Sequence, residues 1–358
     1  MRQKIPQLDG VRGLAILVVM IHNSWKFPRL FANGWMGVDL FFVLSGFLIT
    51  GILLDSKQSE GYFKIFYVRR CLRILPLYYA LLIFMFVIVP LLRSSDAHVI
   101  FEKSSPWWAF PLFLQNFLIP ISTNAAGALA VTWSLAIEEQ FYLVWALVVR
   151  YMSHAQIRWI AIAVICLSPG LRFYLSPRHV YLYTNVFCRL DGLMAGSLLA
   201  LAVRSDDFMP SRFVRAAWVC LGVSAPLSFL TQAFRVEWIV YSFTAVASAS
   251  FVFLALFSAQ KWLRMALGNR FLVYTGTISY GLYLLHKIPL DAEQSFRLER
   301  YPLLSLLAVL VASYAAATLS WNLLEKPFLR LKRYFEPVAI ARLDPANSHF
   351  ALVPQERS

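Results

Sequence analysis

Two short segments near the start of the chain carry side chains that could do chemistry. Residues 9–13 read Asp-Gly-Val-Arg-Gly, and the apolar run that follows ends in His22-Asn23. Residues 37–46 read Gly-Val-Asp-Leu-Phe-Phe-Val-Leu-Ser-Gly, with Asp39 just inside an apolar run. An imidazole exchanges protons near neutral pH, so His22 is a candidate acid–base group. A carboxylate beside it, such as Asp39, could orient the ring and raise its basicity. Further on, Arg70 and Arg73 lie three apart and share a helical face. Guanidinium forks match phosphate geometry, and the alternative is a basic cluster that only anchors a loop. Glu138 and Glu139 are adjacent, about 100° apart on a helix, so at least one faces the protein interior. Arg189 and Asp191 are placed to offset each other's charge, and Ser279, Tyr280, Tyr283 and His286 fall within one short stretch.

These residues must be held by apolar segments. Of 358 residues, 59% are hydrophobic and only 15% charged, which points to a membrane protein rather than several soluble domains. The expected fold is all-α, a polytopic bundle of about ten transmembrane helices, near 10–26, 35–54, 74–92, 131–150, 158–175, 186–203, 214–232, 238–258, 271–290 and 302–324. Residues 106–120 are apolar but short and bracketed by proline, so they read as interfacial or re-entrant. Residues 1–335 form the membrane domain, and 336–358 a polar cytoplasmic tail expected to be disordered.

The net charge of +14 is explained by asymmetry across a membrane rather than by nucleic acid. With both termini in the cytoplasm, 22 Lys and Arg fall inside and 11 outside, as the positive-inside rule requires. The four cysteines have no metal-site spacing, and no metal is expected.

Taken in order, the motifs resemble the acyltransferase 3 family of bacterial membrane O-acyltransferases. They are Leu8-Asp9-Gly10 with Arg12 and His22; residues 37–46; Arg70-x-x-Arg73-Ile74-Leu75-Pro76; Trp133-Ser134-Leu135 with Glu138-Glu139-Gln140-Phe141-Tyr142; Arg189-Leu190-Asp191-Gly192; Ser279-Tyr280 through His286; and Glu325-Lys326-Pro327-Phe328. The resemblance implies transfer of an acyl group, usually acetyl, from cytoplasmic acyl-coenzyme A. The acceptor would be a glycan hydroxyl, on lipopolysaccharide, O-antigen or exopolysaccharide, at the bacterial inner membrane. It implies His22 as catalytic residue and Arg70 and Arg73, with Arg12, as donor-binding residues. Ser45, Ser279 and Tyr280 are candidate donors to the reaction's oxyanion. The family usually separates the first-span arginine and histidine by ten residues; here nine intervene, which puts Arg12 and His22 about 80° apart on a helix. A small-molecule acceptor, or a proton-coupled transporter using the same buried charges, is the alternative reading.

Overall fold

The computed structural model describes residues 5–24, 33–92, 106–118, 124–178, 181–295 and 302–335. The expected tail beyond 335 lies outside the described residues. Helices α1 (Pro6–Asn23) and α2 (Met36–Asp55) pack against each other. Helix α3 (Tyr62–Ile83) continues through a π-helical turn, Phe84–Ile88. Then follow α4 (Thr132–Tyr151), α5 (His154–Leu175), α6 (Val186–Ala202), α7 (Pro210–Ala233), α8 (Glu237–Phe257) and the short α9 (Lys261–Leu267). The chain ends in α10 (Arg270–Thr277), α11 (Ser279–Leu285), α12 (Lys287–Ser295) and α13 (Pro302–Ser320). No strand occurs among the described residues.

Every expected span has a helical counterpart, but among the described residues six helical stretches are long and apolar enough to cross a membrane: Met36–Asp55, Tyr62–Leu91, His154–Leu175, Pro210–Ala233, Glu237–Phe257 and Leu303–Phe335. The shortfall has physical reasons. Helix α4 carries Glu138, Glu139 and Arg150. Helix α6 is only 17 residues long and carries Arg189 and Asp191. The stretch expected as one span at 271–290 is broken twice. At the first break Ser279 Oγ donates to the Gly276 carbonyl. At the second, His286 turns its Nδ1 onto the carbonyls of Leu282 and Tyr283. Side chains that bond the local backbone compete with the helix ladder.

The outward faces are apolar, as lipid contact requires. Leu143, Val144 and Leu147 of α4 are exposed, as are Leu167 and Phe173 of α5 and Val219 and Val223 of α7. Residues 106–118 form two short 3-10 turns rather than a span. Trp107 and Trp108 face outward, whereas Gln115 and Asn116 are buried. The Gln115 amide donates to the Thr132 carbonyl, and the Gln140 amide donates to the Phe113 carbonyl. These bonds fasten the segment to α4.

Helices α2 and α6 cross closely, and glycine makes it possible. A Cβ on Gly46 would sit 1.9 Å from the Leu193 carbonyl oxygen, and one on Gly196 would sit 2.0 Å from that of Val43. With Gly192, this is a Gly-x-x-x-Gly surface, which lets two backbones meet in an apolar setting. A polar chain runs along the same contact. Trp145 Nε1 donates to Thr50 Oγ1, and Thr50 donates to Ser197 Oγ, both at 2.8 Å.

Candidate active site

Helix α1 starts with Pro at its first turn, where a missing N–H costs nothing. Val11, Ala15, Ile16 and Val19 are buried, so the helix runs through the interior of the bundle. It places Arg12 and His22 about 15 Å apart along its axis. Arg12 donates to Asp9 Oδ1, one turn earlier, at 2.9 Å. Arg12 lies in the N-terminal half of α1, within the field of Arg73 and Arg70 of α3. The expected donor residues are therefore brought together.

Arg70 lies over the Tyr142 ring, 5.4 Å from its centroid. The Tyr142 hydroxyl donates to Glu138, and Ser45 of α2 reaches both groups. A single cluster thus ties α2, α3 and α4 together. Glu139 points another way, as its 100° offset demands, and its Oε1 is buried without a hydrogen-bond partner among the described residues. Both glutamates lie within the field of Arg70. Sequence reasoning missed Tyr142 as the link, although its four-residue spacing from Glu138 puts the two on one helical face.

His22 is half-buried near the other end of α1. Gly34 packs directly on it: a Cβ there would lie 2.5 Å from His22 Cβ. The next residue, Asn23, is fixed by His286, with Asn23 Nδ2 and His286 Nε2 2.9 Å apart. The opposite nitrogen of His286 faces two carbonyls, which only accept. Nδ1 therefore carries the proton, and Nε2 accepts from the Asn23 amide. His286 is a neutral fastener between α11 and the end of α1.

Asp39 does not hydrogen-bond the imidazole as expected. Its Oδ1 accepts from Arg189 of α6 at 2.9 Å, both side chains being almost fully buried. Rings of Tyr241, Tyr183, Phe42, Trp35 and Trp133 enclose the guanidinium, with Tyr241 nearest at 4.0 Å. Nor do Arg189 and Asp191 form an ion pair with each other. Asp191 pairs with Arg172 of α5 at 2.9 Å, and Arg172 also donates to Ser242 and to the carbonyls of Cys188 and Trp238. Residues two apart on a helix point to different sides, so each finds a partner on a different neighbour. Arg172 is wholly buried.

Two expected oxyanion donors are committed elsewhere. Tyr280 donates to the Ile74 carbonyl and Ser279 to that of Gly276, so each hydroxyl's one proton is already engaged. Tyr283 and Ser134 hydroxyls lie 2.6 Å apart, joining α11 to α4.

The acyltransferase-domain profile of the acyltransferase 3 family matches residues 5–323. A protein of Staphylococcus aureus strain COL named "Putative O-acetyltransferase" is 27% identical over 354 residues, covering 90% of this chain and 57% of that protein. The peptidoglycan O-acetyltransferase OatA of Listeria monocytogenes is 29% identical over 323 residues, covering 80% of this chain and 49% of its own length. The chain thus spans about half the length of the curated relatives it matches. No solved structure gives a significant match. The match from residue 5 to residue 323 takes in both helices of the opening segments and every polar cluster described above, and the chain belongs to the acyltransferase 3 family.

Proposed function

We propose that the chain moves an acetyl group from cytoplasmic acetyl-coenzyme A to a hydroxyl of a glycan. All ten expected spans would cross the bacterial inner membrane, with both termini cytoplasmic. Helices α1, α4 and α6 and the segmented 270–295 region would be the spans that neighbours shield enough to carry charge. The observation that carries the reading is the layout of α1. Arg12 lies in its N-terminal half, within the field of Arg73 and Arg70, and His22 lies near the other end, beside the Asn23–His286 fastening.

In this reading the donor's phosphates bind the arginines, and its pantetheine arm runs along α1 toward His22. His22 takes the proton of the acceptor hydroxyl as the oxygen attacks the thioester carbonyl. The carbon–sulfur bond then breaks, and the proton leaves with the coenzyme A thiol. General-base help of this kind is worth about 10²–10⁴-fold in rate. Asp39 acts at a distance, by holding α6 against α2. The names of the relatives support a glycan acceptor and acetyl as the group. The transporter reading is weakened by the pairing of Asp39 and Asp191 with arginines, which leaves neither as a vacant proton site.

The test uses purified protein in vesicles with labelled acetyl-coenzyme A and no solute gradient. Wild type should release coenzyme A and label the acceptor, and His22→Ala should abolish both while inserting normally. Transfer by His22→Ala at the wild-type rate would remove His22 from the chemistry. A wild type that needs a solute gradient to act would favour transport.

A further inference from the structure

Beyond the arginines of α3, a fourth cation has been brought to the same end of the bundle from the far end of the sequence. Helix α13 passes through a π turn, Trp321–Glu325, into a short helix, Lys326–Arg330, and a 3-10 turn, Leu331–Phe335. That last turn packs on α3. Arg69 fastens it, its Nη1 donating to the Phe335 carbonyl at 3.1 Å. The turn carries Lys332, which is half-buried.

Arg73, Arg70 and Arg69, all of its own sign, act on Lys332. Its situation differs from that of its neighbours. Arg12 has Asp9, and Arg70 lies within the field of Glu138 and Glu139. Among the described residues, no carboxylate pairs with Arg70, Arg73 or Lys332. Holding an ammonium among three guanidiniums is unfavourable unless an anion joins them, because like charges at close range repel. A positive rim meant only to fix topology needs cations in the loops, not a hydrogen bond that draws one inward. Arginine forks with a lysine point charge are also the usual combination for phosphate oxygens.

We propose that Lys332 completes, with Arg70 and Arg73, a binding site for the phosphates of a phosphate-bearing ligand, and that Arg69 serves it by fastening the 331–335 turn. The inference rests on the donor reading above and deepens it: the ligand is the nucleotide end of coenzyme A. Phospholipid headgroups carry the same chemistry, so the test must separate the two sources.

Binding of coenzyme A is measured by calorimetry on the full chain in nanodiscs, once with zwitterionic lipid alone and once with added anionic lipid. In zwitterionic discs, Lys332→Gln should weaken binding about tenfold, the value of one charge-assisted hydrogen bond. Lys332→Arg should retain most of the affinity. Arg333→Gln removes the same charge one residue along, from a side chain exposed against Tyr334, and should leave binding unchanged. If wild type binds and Lys332→Gln binds equally well, Lys332 has no place in the site, while the donor reading stands. If Arg333→Gln weakens binding as much as Lys332→Gln, the effect is general charge and the site is refuted. If wild type fails to bind coenzyme A in zwitterionic discs, both the inference and the donor reading fall; retention of anionic lipid by wild type and not by Lys332→Gln would then assign the cluster to headgroups.

Discussion

Asp39→Asn removes one partner of the buried pair and leaves Arg189 charged. At 2.9 Å and an effective dielectric of about 20, the lost attraction is about 6 kcal/mol gross. Part of that only offsets the desolvation of both groups, so the net cost of breaking such a pair is about 3–5 kcal/mol. The guanidinium cannot escape, because five aromatic rings enclose it. For a chain of this size the midpoint of thermal unfolding should fall by about 4–7 °C. Asp39→Leu combined with Arg189→Met should recover most of the loss, since apolar replacement of a buried pair is often neutral or stabilising. The assay is thermal unfolding in detergent, followed as loss of monodisperse protein, with acetyl transfer measured on the same samples. An Asp39→Asn protein melting within a degree or two of wild type would refute the pairing argument. A double variant that regains stability but stays inactive would refute the structural role given to Asp39 and return it to the chemistry.

Arg70→Ala with Arg73→Ala should raise the donor KM by about tenfold or more, two charge-assisted contacts being lost, and unchanged donor kinetics would reduce both arginines to topology anchors. His286→Leu should break the fastening of Asn23 and lower kcat at unchanged donor KM, because it alters the seat of His22 and leaves the arginine end intact; restoration by His286→Gln, whose amide oxygen can accept from Asn23, would distinguish positioning from general loss of packing.

The helical segments were legible because apolar runs of near-span length are local facts. The arginine cluster was legible for the same reason, a spacing of three on one helix. The ion pairs were not. Asp39 and Arg189 are separated by 150 positions, and nothing local says that α2 and α6 cross closely enough to join them. The glycines at 46, 192 and 196 were the available signal. The breaks near Ser279 and His286 were hidden because the residues around them are apolar, and only the direction of two polar side chains divides the run. The burial of Arg172 was equally hidden, because it lies near the end of α5, where a sequence cannot tell a headgroup contact from a buried partner. The committed hydroxyls of Ser279 and Tyr280 show the same limit: residue type names a donor, and only coordinates say where its proton goes.

In the ten-span reading proposed above, the pairing of α2 with α6 also bears on how the chain enters the bilayer during synthesis. Helix α6 is 17 residues long and has Arg189 and Asp191 in its first six. Each charge costs about 2.5–3.5 kcal/mol when inserted at the centre of a lone helix, and less toward an end. Such a segment has little tendency to partition into lipid by itself. It becomes insertable when it meets helices made earlier, with Asp39 on α2 and Arg172 on α5 already presenting the opposite charges. Those partners leave the ribosome first, in the order the bundle needs. A substitution at Asp39 or Arg172 is then felt twice, first as a failure of a later helix to stay in the membrane and only afterwards as a loss of stability.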